Sequence, residues 1–234
     1  MSRNDDRYKK KEQLENQAHN LHFALISHIA RNILPGGYWR KNIASHQDKS
    51  TLHLTFDDGP YPETTPALLD LLDEFGVKAT FFFIGKHIRL HPDLALQVLE
   101  RGHDIGNHSM THRLMLTLSK AEIEREIDDT NALITDISGY KSRLFRPPYG
   151  LLDNRTARML QNRRMVRVYW GAMASDFKPI GTDKVVERIL QQIKNENLIV
   201  LHEGGNKIAG QTLASTRRIL QITLDKGYRF EPII

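Results

Sequence analysis

The sequence predicts an α/β protein built on a parallel sheet that is closed, or nearly closed, as a barrel. From about residue 51 onward, short β-rich segments alternate with longer helical ones about seven times, which is typical of parallel α/β folds. Reactive polar residues follow the predicted strands directly, where such folds place their sites. With 234 residues, 40% of them hydrophobic, the chain can bury a large core. An open doubly wound sheet is the alternative, because periodicity does not show whether a sheet closes.

The first half of this alternation begins with two apolar runs. Residues 52–56 predict the first strand, and the aromatic run over residues 79–84 predicts a fully buried second strand. Between them, a helix is predicted to begin with Thr65 as its N-cap and to end at Gly76. The other elements predicted in this half are a helix over residues 92–101 and a strand over residues 104–106.

The second half begins with a capping box. Ser119 and Glu122 have the required spacing and predict that a long helix starts there. Its apolar residues recur at helical spacing, at Ile123, Ile127, Leu133, Ile134 and Ile137. The remaining predicted strands cover residues 143–145, 165–170, 198–201 and 228–233, and the remaining helices begin near Asp153 and cover residues 182–194 and 212–226.

The N-terminal residues 1–50 form a predicted helical extension to a main domain over residues 51–234. Apolar residues recur at helical spacing in an amphipathic stretch, at Leu21, Leu25, Ile29 and Ile33. This stretch is too short and too polar for a membrane span, and no signal-peptide cleavage pattern is present. A cytoplasmic location follows by default, with an extracytoplasmic one as the alternative if a leader is missing.

The composition limits the binding partners and the side chains that could hold a metal. The net charge of +5 favours contact with anionic polymers or a membrane surface, but the excess is diffuse, and no nucleic-acid-binding motif is present. The chain has no cysteine, which excludes disulfides, thiolate nucleophiles and cysteine-type zinc sites. Any bound metal must therefore be held by histidine, aspartate or glutamate side chains.

Two adjacent carboxylates, Asp57 and Asp58, follow the first predicted strand. Successive strand residues point to opposite faces, yet both acids can reach one site if the strand ends there and the backbone bends at Gly59. An isolated Asp-Asp-Gly is more often a solvated turn, because Asp-Gly is a common turn pair. The rest of the chain has to decide between a turn and a site.

Two histidines, His108 and His112, lie four residues apart. On a helical turn this spacing places both imidazoles on one face, close enough to hold one ion, whereas a solvated pair is the alternative. Joined to a carboxylate from the first strand, they make a 2-His-1-carboxylate site that suits Zn²⁺, Fe²⁺, Co²⁺ or Ni²⁺. One aspartate could then bind the metal while its neighbour acts as a base.

A rigid loop after the strand at residues 143–145 supplies two further candidates. Arg146 could keep a neighbouring carboxylate ionised and oriented. Pro147 and Pro148 stiffen the loop and have no N–H, so the backbone N–H of Tyr149 is the candidate oxyanion donor there. A surface arginine beside a rigid turn is the alternative.

One more histidine, His202, directly follows the predicted buried strand at residues 198–201. It could protonate a leaving amine, or it could be a core histidine with its hydrogen bonds satisfied. Asp176 follows another apolar run and could hold that imidazole in one tautomer.

Three segments carry a resemblance to a known family: residues 55–60 (TFDDGP), 108–112 (HSMTH) and 146–150 (RPPYG). In this order and spacing they resemble the polysaccharide deacetylases of the NodB-homology type, carbohydrate esterase family 4. The resemblance runs from about residue 52 to residue 234. It implies a deformed (β/α) barrel and a metal-dependent N-deacetylase domain that hydrolyses a non-peptide C–N bond in an acetylated amino-sugar glycan.

The resemblance also implies roles for single residues. Asp57 is the general base acting on metal-bound water, Arg146 orients it, and His202, with Asp176 behind it, is the general acid. The implied ligands of a divalent metal, zinc by preference and otherwise Co²⁺, Ni²⁺ or Fe²⁺, are Asp58, His108 and His112. The implied substrate-binding group consists of Pro147, Tyr149, Trp170 and Leu201, of which Trp170 and Leu201 fall at the slot for the acetyl methyl.

Three positions depart from the family's pattern. Met173 stands where the fourth motif commonly has an acid, Val200 replaces the usual leucine of the fifth motif, and Glu203 stands where aspartate is frequent. The two departures of the fifth motif look tolerable, whereas Met173 and the missing extracellular signals leave room for a deformylase, amidase or O-acetyl esterase acting on a small or lipid-linked molecule. A catalytically silent glycan-binding protein is the alternative from another class. The sequence predicts neither a nucleic-acid partner nor an oligomeric state.

Overall fold

The structure is a computed structural model that describes residues 37–38, 50–193 and 198–233. The predicted helix around Leu21 to Ile33, and with it nearly all of the predicted N-terminal extension, lies outside the described residues. Within the part of the chain that is described, no helix combines the length and the apolar character needed to cross a membrane.

The described strands are β1 (Gly37–Tyr38), β2 (Thr51–Asp57), β3 (Thr80–Phe83), β4 (Asp104–Asn107), β5 (Leu144–Phe145), β6 (Val166–Val168), β7 (Ala172–Met173), β8 (Leu198–His202) and β9 (Arg229–Phe230). The helices are α1 (Thr65–Glu74), α2 (Gly85–Leu90), α3 (Pro92–Glu100), α4 (Lys120–Ser138), α5 (Asn154–Asn162), α6 (Thr182–Gln192) and α7 (Ala209–Asp225). Two 3₁₀ turns cover Met115–Thr117 and Pro148–Gly150.

All of these strands belong to one parallel sheet. They pair in the order β1-β6-β5-β4-β3-β2-β8-β7, and β9 pairs with β2. Among the described strands, β1 and β7 end this order without pairing to each other, so the sheet curls into an incomplete barrel. The predicted parallel, barrel-like α/β fold is confirmed, and the carboxyl ends of the strands gather at one edge.

The two faces of the sheet are filled differently. Strand residues alternate between faces, and β2 and β8 pair in register, with Phe56 opposite Leu201 and Asp57 opposite His202. Phe56 and Leu201 belong to the large core between sheet and helices. The concave face holds a smaller apolar cluster formed by Phe82, Leu144, Val168, Leu198 and Ile233. Asp57 and His202 therefore share the concave face.

Several local predictions are confirmed and others are wrong. The capping box of Ser119 and Glu122 is formed at the start of α4. Thr64, not Thr65, is the N-cap of α1, because the Thr65 hydroxyl instead accepts a bond from the Tyr61 N–H and donates one to Glu203. Helix α2 and strand β7 were not predicted, since six and two residues are too few to establish a periodicity.

Candidate active site

Four parallel strands deliver the predicted site residues to one edge of the sheet. Asp57 is the last residue of β2 and His202 the last of β8. His108 directly follows β4, and Arg146 directly follows β5. The carboxyl ends of β2, β4, β5 and β8 thus bring together residues that are far apart in the chain.

A cluster of three side chains could hold a divalent cation. Asp58 Oδ1 lies 3.6 Å from His108 Nε2 and 3.4 Å from His112 Nε2. One donor atom from each of these residues lies within 4.8 Å of the others. Asp58 Oδ1 is buried and has no hydrogen-bond partner. A buried, unsatisfied carboxylate oxygen facing two imidazole nitrogens fits a cation with histidine and carboxylate ligands.

The histidine pair is not on a helical turn, contrary to the prediction. The segment between His108 and His112 is a loop in which Ser109 and His112 have left-handed backbone angles, with φ of 65° and 57°. The two rings still lie 5.0 Å apart. His108 Nδ1 donates to the Arg146 carbonyl at 2.7 Å, which orients the ring so that Nε2 faces Asp58.

Asp58 reaches the same side as Asp57 through its own backbone conformation. Its φ is 76°, in the left-handed region, so the chain already turns at Asp58, one residue before the predicted bend at Gly59. The Asp58 N–H donates to the Phe82 carbonyl at 3.1 Å. This turn allows two adjacent acids to face one site, which regular strand alternation forbids.

Asp57 and Arg146 form a buried ion pair on the concave face. Arg146 Nη1 donates to Asp57 Oδ1 and, at 2.9 Å, to the Thr55 hydroxyl, while the guanidinium lies 4.0 Å from the centre of the Phe82 ring. Burial alone would raise the pKa of Asp57, but the positive charge of Arg146, with smaller contributions from His108 and His202, holds it below its usual value. Asp57 is thereby kept ionised.

His202 is held at two points by one carboxylate. Asp176 Oδ1 lies 3.0 Å from His202 Nδ1, and Asp176 Oδ2 accepts from the His202 backbone N–H at 2.7 Å. Burial would lower the pKa of His202, but the negative charge of Asp176 and its hydrogen bond outweigh this and raise the pKa to about 9. The imidazole therefore carries a proton at neutral pH.

The comparison with known proteins places this arrangement in a family. Residues 44–167 match the family model described as polysaccharide deacetylase. The chain belongs to the polysaccharide deacetylase family. The resemblance noted in the sequence is thus confirmed. The intact TFDDGP, HSMTH and RPPYG segments supply the cation cluster and the Asp57–Arg146 pair, whereas Asp176 and His202 lie outside them.

Two relatives within the polysaccharide deacetylase family match most of this chain. It is 32% identical over 182 residues to the peptidoglycan-N-acetylmuramic acid deacetylase PdaC of Bacillus subtilis, covering 78% of this chain and 38% of that protein. It is 32% identical over 204 residues to a peptidoglycan-N-acetylglucosamine deacetylase of Bacillus cereus, covering 86% of this chain and 94% of that protein. The chain thus spans less than half of the first relative and nearly all of the second.

Solved polysaccharide deacetylase structures share the fold. The Bc1960 peptidoglycan N-acetylglucosamine deacetylase matches with a TM-score of 0.77 and 27% identity, over 80% of this chain and 87% of that one. BA3943 of Bacillus anthracis, a pseudoenzyme of carbohydrate esterase family 4, matches with a TM-score of 0.73 and 26% identity, over 80% of this chain and 65% of that one. Because the fold serves enzymes and a pseudoenzyme, activity has to be argued from the site residues.

The loop with the deacetylase RPPYG segment borders the cluster. Tyr149 has a left-handed φ of 58°, and its exposed ring packs on His112 with the centroids 4.8 Å apart. Pro147 is buried at the start of this turn. Gly150 lies so close to Trp170 that a Cβ would meet the indole at 2.6 Å. Pro147 and Tyr149 therefore belong to one loop beside His112, and Trp170, which follows β6, packs against that loop.

The structure does not bring Leu201 to the site. Leu201 is fully buried in the helix-facing core, on the opposite face of β8 from His202. Val200, two residues before His202, shares its face, and it lies opposite Thr55 and Met173 in the sheet. The period of two, counted back from His202, was the signal that could have identified Val200. His87 and the buried Glu203 were also missed as neighbours of the site.

Proposed function

We propose that this protein is a metal-dependent hydrolase that removes N-acetyl groups from an amino-sugar-containing glycan. One observation supports this proposal above all. Asp57, which is ionised and paired with Arg146, and His202, which is protonated and held by Asp176, flank the three-residue cation cluster. A base and an acid with their pKa values pushed apart are typical of hydrolytic sites. The names of the two relatives, which concern acetylated amino sugars of peptidoglycan, support this substrate class.

In this proposal Asp58, His108 and His112 hold the divalent cation. Zn²⁺ is the first choice, with Co²⁺, Ni²⁺ and Fe²⁺ as alternatives, because two imidazoles and one carboxylate leave coordination positions open. When bound, the cation polarises the amide carbonyl and lowers the pKa of water.

The remaining steps belong to the chain's own residues. Asp57 accepts a proton from the attacking water as its oxygen bonds to the amide carbon, and Arg146 keeps Asp57 ionised until then. The backbone N–H of Tyr149 donates to the developing oxyanion. His202 gives its proton to the nitrogen as the C–N bond breaks, so the products are acetate and a free amine.

The pocket and the domain boundaries complete the proposal. Pro147, Tyr149 and Trp170 form one wall beside the cluster. Val200, which lies on the same face of β8 as His202, takes the pocket role first predicted for Leu201. The catalytic domain covers residues 51–234, and residues 1–50 form an extension. The cytoplasmic location stays a prediction, which cell fractionation tests; recovery in the cell-wall fraction would contradict it.

Acetate release with and without a chelator tests the function directly. N-acetylated chitooligosaccharides and peptidoglycan fragments are the substrates, and formamides, small cyclic amides and O-acetyl esters are the comparison panel. We expect acetate from the glycans, its loss after chelation and its return with added Zn²⁺ or Co²⁺. Full activity of the metal-stripped enzyme would refute the proposal. Turnover confined to the small amides or esters would favour the alternative activity, and saturable glycan binding without metal or hydrolysis would favour a silent binding protein.

A further inference from the structure

The three residues of the cation cluster come from two separate loops. Asp58 follows β2, whereas His108 and His112 follow β4. Left-handed backbone angles occur in both loops, at Asp58 and at His112. Such conformations are unfavourable for residues other than glycine and persist only where the surroundings hold them. Contacts with the surrounding structure must therefore hold each loop, and with it the distance from Asp58 to the two histidines.

The first turn of α2 contacts both loops. The Ile84 N–H, just before this helix, donates to the Gly59 carbonyl at 3.0 Å. On the other side, the Gly85 N–H donates to the Ser109 carbonyl and the Lys86 N–H to the Met110 carbonyl, both at 2.9 Å. These three consecutive N–H groups lie at a helix start, where they have no partner within the helix.

The packing at this junction is tight. A Cβ on Gly85 would meet Met110 Sδ at 2.5 Å and the Thr130 hydroxyl at 2.6 Å. The start of α2 is thus pressed against the loop between the two histidines. A shift of α2 would therefore be transmitted to both loops.

One side chain of α2 completes the junction. His87 Nδ1 lies 2.7 Å from the Asp58 carbonyl oxygen, and because a carbonyl only accepts, Nδ1 carries the proton and donates. The Tyr61 ring packs against the His87 imidazole with the centroids 4.7 Å apart, which limits rotation of the ring. Together with the bond from the Asp58 N–H to Phe82, both backbone polar groups of Asp58 are satisfied.

We propose that His87 is a positioning residue for the cation cluster. Its hydrogen bond to the Asp58 carbonyl, together with the first turn of α2, sets the distance from Asp58 to His108 and His112. His87 lies outside the three motif segments and does not itself provide a ligand. The proposal rests on the proposed function in so far as the cluster binds a divalent cation.

The test compares two side chains of nearly equal shape at position 87. His87→Asn keeps an N–H donor near the position of Nδ1, whereas His87→Leu has none. Arg89→Ala, an exposed position on the same helix, is the matched control. Each metal-free protein is titrated with Co²⁺, whose visible absorption reports coordination geometry, and with Zn²⁺ in competition with a chelator. Circular dichroism and thermal melting report folding separately.

We expect His87→Leu to bind both ions roughly 10- to 100-fold more weakly, as is typical when a group that orients a metal ligand is removed. His87→Asn should stay within a few-fold of the wild type with the same Co²⁺ spectrum, and Arg89→Ala should match the wild type. Wild-type affinity and spectrum in a folded His87→Leu would overturn the proposal, as would equal weakening in His87→Asn.

If His87→Leu does not fold, His87→Gln replaces it, because glutamine keeps the amide donor but displaces it by one methylene. Equal metal affinity of the glutamine and asparagine variants would then overturn the proposal. The readout is also separate from activity. A wild type that binds metal in a His87-dependent manner but releases no acetate would contradict the proposed function and leave the role of His87 supported.

Discussion

Asp57 and Arg146 form an ion pair inside the curl of the sheet, with side chains that are 1% and 0% exposed. Arg146 comes from the loop after β5 and Asp57 from the end of β2, so the pair crosses the concave face. Removing two charges from water is costly, and such a pair is stable only when further hydrogen bonds satisfy it. The Thr55 hydroxyl and the Tyr169 carbonyl supply two of these bonds to Arg146.

Arg146→Gln tests this pair. The change leaves the Asp57 carboxylate buried without a cation, so we expect the free energy of unfolding to fall by about 3–5 kcal/mol. The pKa of Asp57 should rise as well. Because a base works only when ionised, the loss of activity on acidification should move to higher pH. Urea denaturation and a pH–rate profile measure the two effects.

Arg143→Gln, an exposed position just before β5, is the control and should leave both measurements unchanged. If Arg146→Gln has wild-type stability and loses activity at the same acidic pH as the wild type, the pair contributes neither to stability nor to the pKa of Asp57.

Changing Asp57 and Asp58 to asparagine, one at a time, should distinguish the base from the metal ligand. Asp58→Asn removes the carboxylate of the cation cluster, so metal affinity should fall. Asp57→Asn should keep the metal but lower turnover by about 10²- to 10⁴-fold, the usual contribution of a general base. Metal content by atomic absorption and acetate release by enzymatic assay separate the two. Loss of metal in Asp57→Asn with metal retained in Asp58→Asn would mean that the two roles are exchanged, and equal loss in both variants would mean that both residues hold the metal.

Asp176→Asn tests the acid side of the site. The pKa of His202 is raised to about 9, so the imidazolium acid is present below that pH, and activity should decline as the pH rises through about 9. Without the Asp176 charge the pKa of His202 falls, and the decline should begin at lower pH. Asp183→Asn, an exposed carboxylate on α6, is the control. An alkaline limb that does not move in Asp176→Asn would argue against His202 as the acid.

Glu203→Gln tests a buried carboxyl group beside the site. Glu203 is 1% exposed, its Oε1 has no hydrogen-bond partner, and burial raises its pKa to about 8. A carboxyl group whose pKa is raised by folding binds more protons in the folded state, so stability falls as the pH rises from about 4.5 towards 8. Glutamine removes that titration, so Glu203→Gln should lose less stability between these pH values.

Thermal melts at pH 5 and pH 8 measure this difference, and Glu63→Gln, an exposed glutamate on the loop before α1, serves as the control. A wild type and a Glu203→Gln variant with the same pH dependence would show that Glu203 has an ordinary pKa in the folded protein.

Much of the fold and of the candidate site was predictable from sequence. The alternation of apolar strands and amphipathic helices predicts the parallel sheet, because each element must bury one face or stripe. Asp57, His108, Arg146 and His202 were predicted as one group because each follows a predicted strand, and parallel strands end at the same edge. The capping box at Ser119 was predicted from two residues because its hydrogen bonds are local.

Other features depend on contacts between distant segments. The turn at Asp58 and the loop between the two histidines use left-handed backbone angles at non-glycine residues, which local preference disfavours. Hydrogen bonds from β3 and α2 help to hold them. Leu201 was assigned to the pocket, but the register of β8 against β2 places it in the helix-facing core.

The sequence by itself determined the α/β alternation, the acids and imidazoles at the strand ends and the family. Periodicity and short-range spacing are enough for these, because they depend on residues close together in the chain. The tertiary structure decided which face each side chain occupies, how Asp58 turns beside Asp57, and that His87 contacts the Asp58 backbone. Those outcomes depend on strand register and on hydrogen bonds between residues that are distant in sequence, such as His87 and Asp58.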